Sequence, residues 1–389
     1  MREKTLSGHH LQKSKAVNGE GASILILGAS FAGLATAWWM HRLGYAVTLV
    51  EIANSLKKGG TPVDIREGVI DVVRRMGLLD RISSQSLPPR PMAFLGIDGT
   101  PVARLTALAD DRDNVEKGYE IERNDLLDML FDEVRNEAQF LFGDSVLGLE
   151  ESAEEVTVTF TSGRTEAFSL VFGCDGIHSA VRRMCFGEES SFSFFLKNYV
   201  SLTIVDKLLI EENTSQMFNL PGKTMMLNAY NNKTDIAFCF FSANEIAYDR
   251  RDAEQQKELI RQHFEGEGWR TSELLEEMSR CDNFYFDKLC QVRMESWTKG
   301  RVALVGDAGY CPSPAAGMGG SMAILGAAAL ADAFQKHPGD FRMAFQEYDK
   351  SLRPLVEQIQ QQAVEFGLAM FAPRTEEEIQ QRNAMLNAS

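Results

Sequence analysis

Apolar and polar positions along residues 23–51 follow two different periods in succession. The apolar run Ile24–Leu27 is too short for a helix and predicts a buried strand. Residues Leu34–His41 place apolar side chains at helical spacing, and Gly44 can end that helix. The apolar run Tyr45–Val50 predicts another strand. Together these patterns predict a strand, a helix and a second strand, which form one βαβ unit.

Similar patterns predict most of the remaining elements. Strand-like alternation dominates residues 190–250, whereas residues 253–280 have a helical pattern. Asn124 is a good N-cap, so we expect a helix over Asp125–Glu137. The other predicted elements are a strand at Thr61–Arg66, a helix at Glu67–Met76, a hairpin of Val156–Phe160 with Ala167–Gly173, a strand at Val302–Val305, a helix at Ser321–Gln335 and an amphipathic helix from Arg353 to about Met370. We expect residues 374–389 either to extend this last helix or to fray.

The order of these elements predicts an α/β fold with two domains, and the length of 389 residues agrees with more than one core. We expect a Rossmann-like dinucleotide-binding domain that is discontinuous in sequence, a second domain on a mixed β-sheet, and a C-terminal helix that bridges them. The predicted bounds are 23–87, 105–187 and 290–350 for the first domain, 88–104 and 188–289 for the second, 351–389 for the C-terminal helix and 1–22 for a disordered N-terminus.

Composition excludes several classes of protein. The chain is 44% hydrophobic and 24% charged, as globular proteins are, and its net charge of −15 argues against nucleic acid or an anionic membrane as a partner. No apolar stretch reaches the roughly 18 residues of a membrane span, and residues 1–22 lack the apolar segment of a secretory signal. The six cysteines have neither metal-site nor disulfide spacing, so we expect reduced thiols in the cytoplasm and no metal. We also expect a monomer.

The βαβ unit carries a glycine pattern that is typical of dinucleotide binding. Gly28 allows the tight turn after the first strand, and Gly33 allows the helix to pack closely on the sheet. Ser30 replaces the middle glycine, but it is small and its hydroxyl can donate to a phosphate. Glu51 follows about 20 residues later, where a carboxylate can bond a ribose hydroxyl. The alternative is an ordinary βαβ unit with a glycine turn.

A second motif lies at residues 301–320, where a strand leads into a proline-broken loop and then into a helix. Asp307 follows the strand and can accept a hydrogen bond from a ribityl or ribose hydroxyl. Gly317, Gly319 and Gly320 leave backbone N–H groups free at the start of the next helix, where negative charge is stabilised. Taken alone, this motif is equally well explained as a tight corner of an α/β fold.

A third motif lies at residues 170–183. A buried strand ends in Asp175 and Gly176, and Ser179 can cap a helix that carries Arg182. A carboxylate, a glycine turn and an arginine together suit the ribose and phosphates of a nucleotide. A capped helix with solvated arginines explains the same residues about as well.

The three motifs, in this order and spacing, resemble the single-component FAD-dependent aromatic hydroxylases, which are the p-hydroxybenzoate-hydroxylase-like flavoprotein monooxygenases. The resemblance covers about residues 22–355. Within that family the chain looks most like the tetracycline-inactivating monooxygenases, or tetracycline destructases. That narrower likeness lies in Lys58–Arg66, in Ile121–Leu126, in Ser296–Ala308 and in the long C-terminal helix.

The resemblance implies FAD as the cofactor, NADPH as the co-substrate, and a set of binding residues. Gly28, Gly33 and Glu51 would hold the AMP half of FAD, together with Ser30 and Ala32; Arg123 would reach the pyrophosphate, and Asp307 the ribityl chain. Gly60, Asp64, Pro314, Gly317, Met318 and Gly319 would border the flavin, and Asp175, Gly176 and Arg182 would support FAD and the passing nicotinamide nucleotide. Lys57 is a candidate for the NADPH phosphate, although a solvated loop lysine is at least as good an interpretation. Met318 stands where relatives often carry a polar residue.

In the scheme that the resemblance implies, NAD(P)H reduces FAD, O₂ adds at the flavin C4a position, and the hydroperoxide hydroxylates a phenol or enol. A tetracycline treated in this way loses its activity. No side chain is predicted to be catalytic, because the flavin carries the chemistry. The substrate is expected between the flavin and the second domain, with a wall that includes Met225, Met226, Phe238, Phe240 and Ala315, although plain sheet core explains each sheet residue as well.

Two alternatives remain open at this stage. One is a hydroxylase of the same fold that acts on a small phenolic or quinone-like metabolite. The other is a flavin-binding reductase or a non-catalytic binder. The chain lacks a second dinucleotide fingerprint and a closely spaced cysteine pair, which counts against a disulfide reductase.

Overall fold

The computed structural model describes residues 21–66, 68–105 and 118–388. The predicted disorder of residues 1–22 concerns a segment that lies almost entirely outside these residues. No helix in the described part of the chain is both long and apolar enough to cross a membrane.

The strands and helices follow in chain order. The strands are β1 (Ser23–Leu27), β2 (Ala46–Glu51), β3 (Val63–Ile65), β4 (Met92–Leu95), β5 (Pro101–Leu105), β6 (Tyr119–Ile121), β7 (Gln139–Phe142), β8 (Val146–Glu151), β9 (Val156–Phe160), β10 (Thr165–Phe168), β11 (Leu170–Gly173), β12 (Ser193–Val205), β13 (Thr214–Leu220), β14 (Lys223–Tyr230), β15 (Lys233–Phe241), β16 (Phe284–Val292), β17 (Thr298–Lys299) and β18 (Val302–Leu304). The helices are α1 (Phe31–Arg42), α2 (Gly68–Arg75), α3 (Leu79–Ser84), α4 (Arg123–Val134), α5 (Ala180–Cys185), α6 (Ala253–Phe264), α7 (Thr271–Arg280), α8 (Asp307–Tyr310), α9 (Gly319–Lys336), α10 (Phe341–Gln362), α11 (Leu368–Phe371) and α12 (Glu376–Ala388). A π-helical segment, Ala363–Gly367, joins α10 to α11.

The first sheet has the strand order β17-β18-β11-β1-β2-β7 and is parallel except at β17. Its central strands are continuous apolar runs because helices cover the sheet; β1 and β11 are buried almost throughout. The chain leaves β1 toward β2 on one side and later returns as β11 on the other side. Such a reversal of strand order makes a crevice at the carboxyl end of β1, where open α/β sheets bind their ligands.

The second sheet has the order β16-β12-β15-β14-β13-β4-β5 and is antiparallel except where β4 pairs with β13. One of its faces packs on α6 and α7. The turn between β14 and β15 attaches the sheet to the start of α4, because Lys233 Nζ donates to Glu122 Oε2 at 2.7 Å. The predicted α/β fold class, with a Rossmann-like part and a mixed sheet, is confirmed.

Three expectations about helices are wrong. The helix expected to begin at Arg353 begins earlier, at Phe341, after Asp340 caps it. The helix expected at Asp125 begins at Arg123, because the Asn124 side chain accepts a hydrogen bond from the Gly59 N–H at 2.8 Å instead of capping. The last residues neither extend the long helix nor fray. They form the separate helix α12, whose Arg382 Nη1 donates to Asn219 Oδ1 of β13 at 2.7 Å.

Candidate active site

The turn after β1 admits only glycine at two positions. Gly28 has a φ of +100°, and a Cβ atom there would lie 2.5 Å from the carbonyl oxygen of Cys174. A Cβ atom at Gly33 would lie 1.8 Å from the carbonyl oxygen of Gly28. The first motif therefore sits directly against the third, and α1 starts immediately above the end of β1.

The N-terminus of α1 forms an anion-binding corner with Arg123. No side chain within the described residues caps α1, and its first turn contains no acid. Arg123 donates to the Ser30 hydroxyl at 3.2 Å and to the Gly59 carbonyl at 2.9 Å. Burial lowers the pKa of Arg123 while the charge of Asp307 raises it. A half-buried guanidinium beside bare helical N–H groups can hold a diphosphate.

Glu51 ends β2 beside this corner. Its carboxylate accepts from the backbone N–H groups of Ala29 at 2.8 Å and of Ala53 at 2.9 Å. These bonds fix the carboxylate next to the glycine turn and leave each oxygen a further lone pair. The carboxylate can therefore also accept from a ribose hydroxyl.

The second motif packs against the first through Gly306. With a φ of +70°, Gly306 precedes α8, and a Cβ atom there would lie 3.0 Å from the Cβ of Ala32. Ala32 is thus placed on the wall of the crevice. Burial raises the pKa of Asp307 to about 6, while the Cys311 thiol and the charge of Arg123 lower it. Asp307 is an acceptor suited to a hydroxyl group deep in the crevice.

The loop before α9 exposes backbone to open space. Gly317 has a φ of +65°, and neither Gly317 nor Gly319 has an atom within 4 Å of where a Cβ would be. No side chain among the described residues caps α9. The Ser321 hydroxyl donates to the carbonyl of Asp64. This bond holds Asp64, which is predicted to border the flavin, at the start of α9. Met318 is half-buried against the apolar core formed by the first sheet and its helices.

A π-helical segment closes this loop from above. Gly367 lies so close to the Pro314–Ala316 turn that a Cβ atom there would be 2.1 Å from the Ala315 carbonyl oxygen. The chain that follows α10 therefore covers the half-buried Ala315, whereas Pro314 remains exposed.

The charged groups of the third motif bind protein atoms. Asp175 accepts from the Ser179 hydroxyl at 2.5 Å and from the Ala180 N–H at 2.7 Å, while Ser179 caps α5 as expected by accepting from the Arg182 N–H at 2.9 Å. Arg182 is fully buried and donates to the Ala308 carbonyl at 2.7 Å. This bond connects the third motif to the second. Lys57 is exposed, and no hydrogen bond or ion pair with another described residue fixes its side chain.

Three of the residues expected to line the substrate face the wrong side of the second sheet. Met225, Phe238 and Phe240 are buried against α6 and α7, where Phe238 packs edge-to-face on Phe264. Side chains alternate between the faces of a strand, so these three belong to the sheet's outer core and not to its crevice side. Met226, one position along from Met225, is on the opposite face.

The opposite face carries a row of accessible side chains, of which only Met226 was expected from the sequence. Tyr285, Leu202, Ala237 and Met226 are cross-strand neighbours on β16, β12, β15 and β14. None of the four is fully buried, and Tyr285 is 44% exposed. We call these residues the inner row. The period-two pattern contained this signal, but it could not indicate which of the two faces the helices would cover.

The whole chain is similar to flavoproteins of known family. A family profile described as FAD binding domain matches residues 21–363. A flavin-dependent monooxygenase of Legionella longbeachae is 34% identical over 86% of this chain and 86% of its own. An uncharacterized protein of Mycobacterium tuberculosis, Rv1260, is 36% identical over 87% of this chain and 91% of its own.

Solved structures give the same result. The crystal structure of the tetracycline destructase Tet(51) is 33% identical, superposes with a TM-score of 0.82, and is matched over 94% of this chain and 95% of its own. The resemblance drawn from the three motifs is thus confirmed. This chain belongs to the FAD-dependent monooxygenases that are built on the FAD binding domain.

Proposed function

We propose that this monooxygenase hydroxylates and so inactivates tetracycline antibiotics, with consumption of NADPH and O₂. The observation that carries the proposal is the likeness to the tetracycline destructase Tet(51), which extends over nearly the whole of both chains. A match over 94% of this chain extends well beyond the three nucleotide motifs.

The residues of the crevice fit FAD. In this proposal the N-terminus of α1 and Arg123 hold the pyrophosphate, Glu51 accepts from the ribose, and Asp307 accepts from the ribityl chain. The open backbone at Gly317 and Gly319 faces the flavin ring. Bound FAD supplies the hydride acceptance and oxygen activation that the side chains themselves lack.

The inner row favours a substrate with several rings. Strands lie about 4.8 Å apart, so the four strands of the row span about 14 Å. Leu202, Ala237 and Met226 form the apolar part of this surface, and Tyr285 completes its length with a phenol at the end nearest Asp307. A flat polycyclic molecule would cover this surface and exclude water from the reacting atoms. A molecule with a single phenol ring would leave most of the inner row exposed to water.

The nucleotide preference rests on Lys57. Its ammonium is free to meet the additional phosphate of NADPH. We expect Lys57→Ala to raise the KM for NADPH while leaving that for NADH unchanged. Lys58→Ala is the matched control, because Lys58 is already paired with Asp128 at 2.7 Å.

The proposal is tested on the purified full-length protein. We expect a flavin visible spectrum, NADPH oxidation that tetracycline accelerates, loss of tetracycline absorbance, and a product heavier by one oxygen atom. A panel of small phenolic acids is measured in parallel. Acceleration by a small phenol but not by tetracycline would favour the hydroxylase alternative, and FAD binding without any NADPH oxidation would favour a non-catalytic binder.

A further inference from the structure

A cavity of about 650 Å³ lies between α10 and the segment that follows β16. Its apolar wall includes Val292, Met294 and Val356. Within the described part of the chain, no residue that we place at FAD or in the inner row lines it. Its volume is in the range of sites that bind small molecules, which combine apolar walls with a few polar groups that fix the ligand. The polar groups of this cavity therefore indicate which ligand it can hold.

The indole of Trp297 forms part of the cavity wall and offers a free donor. Trp297 is only 1% exposed, with the Arg353 guanidinium 4.4 Å from its ring centre and the Tyr310 ring at 4.6 Å. Its indole N–H donates to no acceptor among the described residues. An N–H in so buried a side chain normally has an acceptor. This donor is therefore suited to the carbonyl oxygen of a ligand.

Gln360 supplies an acceptor in the same cavity. Its side chain is 6% exposed, and Nε2 donates to the Val292 carbonyl at 2.8 Å and to the Cys311 carbonyl at 3.2 Å. These two bonds use both N–H groups of the amide and fix its orientation. Its Oε1 accepts from no donor in the part of the chain that the structure describes. One free donor and one free acceptor in buried side chains match the two halves of a carboxamide.

The rim of the cavity carries an excess of negative charge. Three exposed carboxylates lie there, and none is paired with a basic side chain among the described residues. They are Glu295, Glu357 and Glu365. Of the two arginines beside them, Arg353 is already bonded to Asp349 at 2.7 Å, and Arg293 donates to the neutral amide oxygen of Gln291 at 2.6 Å. A cation is therefore favoured over an anion at this rim.

We propose that this cavity binds a small, flat cation that carries a carboxamide. The carboxamide oxygen accepts from the indole N–H of Trp297, and the carboxamide N–H donates to Oε1 of Gln360. The positive charge lies toward the carboxylates of the rim, and the apolar wall covers the flat body of the ligand. Binding is non-covalent, and the site is additional to the proposed activity on tetracyclines.

Gln360 also connects the cavity to the loop that we place at the flavin. Its bond to the Cys311 carbonyl holds the start of that loop, and Gln291 Nε2 donates to the next carbonyl, that of Pro312, at 3.1 Å. Hydrogen bonds in series polarise one another, so a ligand that bonds to Oε1 of Gln360 alters the bond to Cys311. The loop continues into Pro314–Gly319. Occupation of the cavity should therefore change the visible spectrum of bound FAD.

The test uses the FAD-loaded full-length protein and 1-methylnicotinamide, which is a flat cation with a carboxamide. Isothermal titration calorimetry should give a Kd below about 1 mM, and the change in the flavin spectrum should saturate with the same Kd. Nicotinamide lacks the charge and 1-methylpyridinium lacks the carboxamide, so each should bind about fivefold more weakly or less tightly still. A 1-methylnicotinamide that does not bind, or that binds no better than these two, would overturn the proposal.

Variants show whether the probe occupies this cavity. Glu357→Gln removes one rim charge and should weaken 1-methylnicotinamide about threefold while leaving nicotinamide unchanged. Trp297→Phe removes the indole N–H and should weaken both, with circular dichroism as the check on its fold. Glu154→Gln makes the same charge change at an exposed residue between β8 and β9, so it is the matched control and should bind as the wild type does.

Competition with NADP⁺ distinguishes the cavity from the crevice. An excess of NADP⁺ should not displace 1-methylnicotinamide, because none of the described residues that we place at FAD lines the cavity. Displacement by NADP⁺, or equal weakening in Glu357→Gln and Glu154→Gln, would place the probe elsewhere and overturn the proposal. These measurements need no turnover, so a wild type that does not act on tetracycline would contradict the proposed function alone.

Discussion

The hydroxyl of Ser30 accepts a hydrogen bond from Nη2 of Arg123 at 3.2 Å. Ser30 occupies the position of the middle glycine in the dinucleotide pattern, and Arg123 is the first residue of α4. The departure from the pattern therefore joins two elements that are far apart in sequence. It fixes the guanidinium in front of the bare N-terminus of α1, where negative charge is favoured.

Arg123→Ala should weaken FAD binding more than Ser30→Gly does. Loss of the guanidinium removes charge-assisted bonds to the pyrophosphate, and we expect the Kd for FAD to rise about 10- to 100-fold. Ser30→Gly restores the usual pattern and should change the Kd less than about threefold. Titration of the apoprotein with FAD, followed by flavin fluorescence, measures both. A Kd for Arg123→Ala equal to that of the wild type would remove Arg123 from the site.

FAD affinity should depend on pH through Asp307. Burial raises the pKa of this carboxyl from 3.8 to about 6. A raised pKa means that the folded apoprotein holds the proton more tightly than the unfolded chain. The stability from the protonated form is therefore fully present below about pH 4 and is lost as the pH rises through about 6. The ribityl hydroxyl needs the ionised acceptor, so FAD should bind more tightly at pH 7 than at pH 5.

Asp307→Asn distinguishes this effect from a general loss of protein structure at low pH. The amide does not titrate, so the Kd for FAD should be higher than in the wild type at pH 7 and nearly constant between pH 5 and 7. Asp307→Ala should yield folded protein that retains little flavin. Circular dichroism checks the fold of each variant, and a full complement of flavin in Asp307→Ala would contradict the proposed contact.

The two faces of the second sheet should respond differently to mutation. Phe238 is fully buried against α6, so Phe238→Ala should cost about 3–5 kcal/mol in the free energy of unfolding. Leu202 on the inner row is half-exposed, and Leu202→Ala should cost less stability but raise the KM for tetracycline about tenfold. Denaturant unfolding and steady-state kinetics measure the two effects. An unchanged KM in Leu202→Ala would exclude the inner row as the substrate surface.

Gly367 should control the position of the π-helical segment over the Pro314–Ala316 turn. Alanine is favoured over glycine in helices, but here its Cβ would meet the Ala315 carbonyl oxygen at 2.1 Å and push the segment outward. Gly367→Ala should therefore raise the KM for tetracycline more than it lowers FAD content. Gly268→Ala is the control, because no atom lies within 4 Å of the added Cβ.

Kinetics with several substrates sharpen this prediction. If the segment covers the substrate, Gly367→Ala should affect tetracycline more than a single-ring phenol. A variant that loses FAD and substrate binding to the same degree would indicate that Gly367 serves only the stability of the fold.

The βαβ unit could be predicted from sequence because its determinants are local. The turn at Gly28 admits only glycine, the apolar run before it is too short for a helix, and Glu51 closes the second strand at a fixed distance. The three nucleotide motifs could likewise be recognised, since each is a strand end followed by a turn and a helix start.

The partners of the charged groups could not be predicted, because they come from distant segments. The sequence predicts Asn124 as a helix cap, but its side chain accepts from the Gly59 N–H instead. The sequence also suggests Arg182 as a phosphate ligand, but folding buries its guanidinium, which donates to the Ala308 carbonyl. The local sequence determines which hydrogen bonds a side chain is able to form, while the tertiary structure decides which donor or acceptor is within reach.

The face of each strand was also decided only by the tertiary structure. An alternating strand such as β15 presents Phe238 to one side and Ala237 to the other, and nothing local indicates which side the helices α6 and α7 will cover. By itself, the sequence determined the family, the cofactor type and the positions of the turns, because these depend on backbone geometry at a few glycines and carboxylates. Only the packing of the second sheet on α6 and α7 decided which side chains form the inner row on its other face.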